Sequence, residues 1–115
     1  MRKNKEGNMK IKILMLTVLC SFLNAQELET KQVFEGKEVF QTYCWGCHHQ
    51  TAVAFGPSFT EIASKRTKEE IVAYIIEPKA MYKAFGYKRT VMTQLKLKEG
   101  EIDALSDYIL SYKGQ

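Results

Sequence analysis

Apolar residues recur at three- and four-residue steps in three places along this 115-residue chain. Val33, Gly36, Val39, Phe40 and Tyr43 form the first series. Ile71, Val72, Tyr74, Ile75 and Ile76 form the second, and Ile102, Leu105, Ile109 and Tyr112, with Tyr108 alongside, the third. Each series marks one apolar helix face packed on a core. The first predicts a helix over 33–43, preceded by a polar, frayed stretch at 26–32. The second helix has a sharp start, because Thr67 and Glu70 have the spacing of a capping box. It has an equally sharp end, because Pro78 disfavours helical geometry in the residue before it. The third is expected over about 99–112, with Glu99, Glu101, Asp103 and Asp107 favourably placed near its positive end. A shorter helix is expected around 59–64. Periodicity is lost at 50–59, where Gly56-Pro57 signals a loop, and again over 79–94. No strand alternation, repeat or low-complexity tract interrupts this pattern, so the predicted class is all-α.

A different pattern opens the chain. Arg2, Lys3, Lys5, Lys10 and Lys12 precede a largely apolar run of 11 residues, 13–23, followed by Asn24-Ala25-Gln26. That is the layout of an export signal ending near Ala25. Eleven residues fall well short of the roughly 20 needed to span a bilayer as a helix. Met9 would itself begin a well-proportioned signal. A lipoprotein route through Cys20 is disfavoured by the bulky Leu19 before it, and an uncleaved anchor is the remaining alternative. The expected organisation is therefore a signal peptide over 1–25 and one domain over 26–115, exported to the periplasm, with no integral membrane span in the mature form.

Removing the signal changes the charge argument. The chain has 17 basic and 13 acidic residues and a net charge of +4. Five of the basic residues and only one acid, Glu6, precede residue 27, leaving 12 of each sign. The domain is formally neutral, which removes the electrostatic basis for binding nucleic acid or an anionic membrane. Partner docking would have to rest on a local patch.

The densest chemistry lies at Cys44-Trp45-Gly46-Cys47-His48. The C-x-x-C-H run is the pattern for covalent attachment of a c-type haem. Two intervening residues let one tight turn present both sulfurs to one edge of the macrocycle, and the adjacent imidazole becomes the proximal iron ligand. Other uses of these cysteines fare worse. A structural zinc site needs four ligands, and the chain offers three cysteines and two adjacent histidines. A thioredoxin-like dithiol would sit in a βαβ pattern, which is absent, and a disulfide would leave His48 unexplained. Once Cys20 leaves with the signal, both remaining cysteines are consumed. His49 reads as a solvent-facing or hydrogen-bonded neighbour rather than a ligand. Near Pro57 a backbone carbonyl is free to accept a hydrogen bond from the His48 imidazole, the kind of contact that orients an axial histidine; as a plain residue reading, Pro57 is equally ordinary turn punctuation. A domain of 90 residues has a modest core, and a large apolar cofactor would add to it, so the haem-free chain is expected to fold poorly.

Taken together, Gly36-Lys37-Glu38-Val39-Phe40, the haem-binding run three residues later, Gly56-Pro57, Gly86-Tyr87, and Met92 followed by Leu97, Glu101-Ile102, Leu105 and Tyr108-Ile109 resemble the class I monohaem c-type cytochromes over nearly the whole mature chain. The resemblance implies a small cytochrome c fold, three to five helices around one covalently bound haem c, with crossing N- and C-terminal helices. Gly36 and Phe40 would pack against Tyr108 at that crossing. It implies that Pro57 supports the proximal His48 through its carbonyl, and that Met92 is the sixth ligand on a loop wrapping the distal face. The chain departs from the family's pattern in three places. Thr93 follows Met92 where proline is common, Lys98 stands where a Ser or Thr cap is usual, and Trp45 is large for a residue between the cysteines. Met81 is the other methionine of the loop, but its distance from the C-terminal helix does not fit.

His/Met ligation would close both axial positions, which suits an electron carrier and not an enzyme. The expected partners are a respiratory reductase or oxidase, met by transient docking at the exposed haem edge. The alternative is a haem-based gas sensor or haem enzyme with an open sixth position. Cytochromes c-prime have such open sites, but carry their C-x-x-C-H near the C-terminus.

Overall fold

A computed structural model describes the backbone of residues 4–115; in the first thirty residues its side chains are described only at 9–14 and 26–28. The chain divides into two units, Met1–Lys31 and Gln32–Gln115. Five α-helices and no strand occur among the described residues: α1 (Asn4–Tyr43), α2 (Phe59–Lys65), α3 (Lys68–Ile76), α4 (Pro78–Met81) and α5 (Glu99–Leu110). The all-α expectation holds.

The first unit is helical from Asn4 onwards. Its apolar run, Cys20 and Ala25 fall mostly outside the described side chains, and the start at Met1 lies outside the described residues. Among the described residues no helix is long and apolar enough to cross a membrane. Residues 26–32, expected to be frayed, are helical instead. Gln26, Glu27, Leu28 and Glu29 are good helix formers.

The second unit is built around α5. Phe40 and Val39 from α1, Phe59 from α2, and Ile71 and Ile75 from α3 meet Leu105, Tyr108 and Ile109 in one buried cluster. Burying each large apolar side chain is worth roughly 1.5–3 kcal/mol before entropy is counted. The contact between α1 and α5 depends on Gly36. A Cβ there would overlap the Ala104 carbonyl oxygen and lie 2.6 Å from Tyr108 Cβ. Phe40 and Tyr108 sit with ring centroids 5.8 Å apart, so Gly36 and Phe40 meet Tyr108 as the resemblance implied. Two members of the expected α1 stripe are not core: Val33 and Tyr43 are exposed, because a face narrowed by a glycine contact buries only the residues beside it.

The helix ends follow side-chain chemistry. Ser58 Oγ accepts from Glu61 N at 3.1 Å to open α2. The Thr67 capping box is complete: Thr67 Oγ1 accepts from Glu70 N at 3.3 Å, and Glu70 Oε2 accepts from Thr67 N at 2.9 Å. At α5 only half of such a box forms, Glu101 Oε2 accepting from Lys98 N at 2.8 Å, since a lysine side chain has no acceptor. Pro78 ends α3 as expected and also opens the short α4. Within the stretch read as loop, this turn is a correction. Proline's missing N–H costs nothing at the first position of a helix, and its fixed φ favours one. Gly86, at φ +82°, then turns the chain where a side chain would be strained.

Candidate functional site

In the last turn of α1 the Phe40 carbonyl accepts from Cys44 N at 2.9 Å and Trp45 N at 3.0 Å. The Cys44 carbonyl then accepts from Cys47 N at 3.1 Å and His48 N at 2.9 Å. The helix thus tightens into a turn that sets both thiols and the imidazole within five residues. Cys44 is buried and Cys47 exposed, and both are free. Burial pushes the Cys44 thiol up to about 11, with the nearby Cys47 adding to the rise, so in the folded chain Cys44 is a neutral thiol at physiological pH.

His48 Nδ1 lies 2.8 Å from the Pro57 carbonyl oxygen. A carbonyl can only accept, so Nδ1 carries the proton and Nε2 keeps its lone pair for a metal. The loop that delivers Pro57 is pinned by Gly56 N donating to Cys47 O at 2.8 Å, and by Phe59 N donating to His49 O at 3.1 Å. Gly56 leaves room for the imidazole: a Cβ there would lie 2.8 Å from His48 Nδ1 and 2.9 Å from Nε2, and closer still to Cε1. Phe59 stacks on His48 with centroids 6.0 Å apart. His49 does as expected of a neighbour, its Nδ1 accepting from Thr51 N at 3.4 Å.

Cys44, Cys47, His48, Pro57 and Met92 all line one cavity of about 310 Å³. Met81 is not among its lining residues. The walls are mostly apolar, with Phe59, Ile71, Ile75, Leu95, Leu105 and Ile109 among them. Met92 is held through Thr90: Tyr74 donates its hydroxyl to Thr90 Oγ1 at 3.2 Å, and Met92 N donates to the same oxygen at 3.3 Å.

Other lining residues were not singled out by the sequence. Arg66 donates from Nη2 to the Phe85 carbonyl at 3.0 Å. Its guanidinium lies 4.1 Å from the centre of the Phe85 ring, a favourable cation–π distance. Arg66 thereby ties the end of α2 to the loop after α4. Its signal in the sequence was only an arginine just before a helix cap, which has many uses. Arg89 and the exposed Phe55 and Val91 also line the cavity.

The donor set fits a covalently attached haem c. Two free thiols at the required spacing, an imidazole oriented by its other nitrogen and a wide apolar wall are what that group needs. Zinc fits poorly: among the described residues no three His, Cys, Asp or Glu gather as a metal site.

Residues 33–113 match the cytochrome c family. In fold the chain is similar to the cytochrome c from Rhodothermus marinus, at a TM-score of 0.62 and 23% identity, covering 72% of this chain and 78% of that one. Comparison with curated proteins finds no match. The match spans the helix that carries Gly36, the haem-binding turn, the cavity loop and α5, so the chain belongs to the cytochrome c family, whose domains bind covalently attached haem c.

Proposed function

We propose that this protein is a periplasmic single-haem electron carrier in which His48 and Met92 are the axial ligands. The observation that carries the reading is the convergence of Cys44, Cys47, His48, Pro57 and Met92 on a single cavity. When bound, the haem iron supplies a one-electron Fe(III)/Fe(II) couple. Cys44 and Cys47 fix its position covalently, and the Pro57 carbonyl holds the His48 ring in the tautomer that leaves Nε2 to the metal. The Met92 thioether is a soft, weak donor that favours the reduced iron and raises the potential. The apolar wall excludes water and works in the same direction. With His48 and Met92 both holding the iron, no coordination site would be left for a substrate, which is why an enzymatic role is not proposed.

Carbon monoxide added to the reduced holoprotein tests this. The expected result is an unchanged absorption spectrum in the native protein and prompt binding in Met92→Ala. Prompt binding by the native protein would mean an open or labile iron, and a gas sensor or haem enzyme would replace the carrier. Export is supported by the basic start and the apolar run at 13–23. Mass spectrometry of the periplasmic fraction should find a mature chain beginning at Gln26. Recovery of the uncut chain in the membrane fraction would indicate an anchor instead.

A further inference from the structure

Residues 82–98 join α4 to α5 and carry Met92, yet they contain no helix or strand. The turn after α4 closes where Tyr87 N donates to Tyr82 O at 2.9 Å. Beyond it, among the described residues, no backbone–backbone hydrogen bond holds residues 88–97. Side chains hold them instead. Gln94 Nε2 donates to Glu77 Oε1 at 3.1 Å, and Met92, Leu95 and Leu97 pack against the core cluster. The anchor nearest Met92 is the Thr90 hydroxyl, which Tyr74 holds. Two rings fix Tyr74: Phe85 stacks on it with centroids 5.3 Å apart, and Tyr87 meets it edge-on at 5.9 Å. Phe85 is gripped in turn by Arg66 at two points, its carbonyl by Nη2 and its ring by the guanidinium face. Behind Arg66, Nη1 lies 3.9 Å from Glu70 Oε1, and the other oxygen of Glu70 closes the Thr67 capping box. One line of contacts therefore starts at the capped end of α3, passes through Arg66, Phe85, Tyr74 and Thr90, and ends at Met92.

We propose that Arg66 is a positioning residue for the sixth ligand: by clamping Phe85 it sets how readily Met92 leaves the iron. The inference rests on Met92 being that ligand and adds what governs its residence there. A segment with few backbone hydrogen bonds opens at low cost, so each side-chain anchor supplies a large part of what holds it shut. A guanidinium suits this use because it is planar and presents its donors in a fixed fork. It can lie on a ring and donate to the carbonyl of the same residue at once. A lysine there keeps the charge and loses that geometry. The competing account is that Arg66 acts only as a positive charge on the cavity wall, as Arg89 could. The two accounts part at Arg66→Lys, which is harmless if charge is all that matters.

Imidazole binding to the oxidised holoprotein tests this, because at high imidazole the rate levels off at the rate with which Met92 leaves. That plateau should be about tenfold higher in Arg66→Lys and in Phe85→Leu, in line with the loss of one charge-assisted hydrogen bond and one cation–π contact. The double variant should be no faster than the faster single one, since both changes break the same contact. Lys68→Met loosens α3 from α5 without touching the loop and should leave the plateau unchanged, which separates general loss of stability from loss of the clamp. An unchanged plateau in Arg66→Lys or in Phe85→Leu would overturn the clamp, and a rise in Arg66→Gln alone would assign the effect to charge. Equal rises in Lys68→Met and Arg66→Lys would overturn it as well. A native rate that climbs in proportion to imidazole without levelling off would mean that no ligand has to leave, which removes the Met92 reading and the clamp with it.

Discussion

Gly56 shows how a single missing methyl group organises the site. Its backbone N–H holds Cys47, and the space where its Cβ would be is filled by the His48 ring. Gly56→Ala must displace the imidazole or the loop carrying Pro57. We expect a loss of about 1–3 kcal/mol, the usual range for overpacking, together with a shifted reduction potential. Urea unfolding and a redox titration of the holoprotein measure the two. Gly46→Ala is the control, since nothing lies within 4 Å of its Cβ position; equal effects of the two substitutions would contradict the argument. The glycine before Pro57 was visible in the sequence as a loop signal. Its function as a cradle for His48 was not, because that depends on where a residue eight positions away comes to lie.

Among the helices, α3 and α5 are linked by Lys68, whose Nζ lies 2.6 Å from Asp103 Oδ1 and 2.7 Å from Asp107 Oδ1. Gln32 Nε2 also donates to Asp103 Oδ2, at 3.0 Å. Partial burial opposes the charge on Lys68, but its hydrogen bonds to the two carboxylates outweigh this and raise its pKa above the ordinary 10.5. A raised lysine pKa stabilises the fold fully below the unfolded value, and that contribution is lost as pH climbs through the folded value. Lys68→Met should therefore cost about 1 kcal/mol near neutrality, a modest figure because the pair is partly solvated. The difference from the native protein should shrink above about pH 10.5. Urea midpoints across that range decide it; a difference independent of pH would assign the loss to packing. The sequence placed Thr67 as the cap of α3, and the bond pattern agrees because a capping box is closed within four residues. It gave no reason to pair Lys68 with α5, which lies more than thirty positions away.

On the scale of the whole domain, an open cavity of about 310 Å³ with apolar walls lies where packed side chains would otherwise complete the core, and a bound haem would cover those walls. Haem-free protein should lose cooperative unfolding and most near-UV circular dichroism while keeping part of its helical signal. A urea transition as sharp and as late as that of the holoprotein would refute the dependence on the cofactor.

The sequence alone determined what is local. Helix periodicity, the Thr67 box, the stop before Pro78 and the C-x-x-C-H spacing each depend on residues within a turn or two of one another. Their physics is complete in a short window, and α2, α3 and α5 lie close to where that window puts them. Met92 and Pro57 could be named because they match a family pattern, not because their own neighbours require it. Tertiary structure decided what depends on convergence. It brought Met92 and not Met81 to the cavity, tied Tyr74 to Thr90, and set Arg66 on Phe85. It pressed Gly36 onto Ala104 and left Val33 and Tyr43 outside the core. These contacts join segments 16 to about 70 positions apart, and their energies exist only once the chain has brought those segments together.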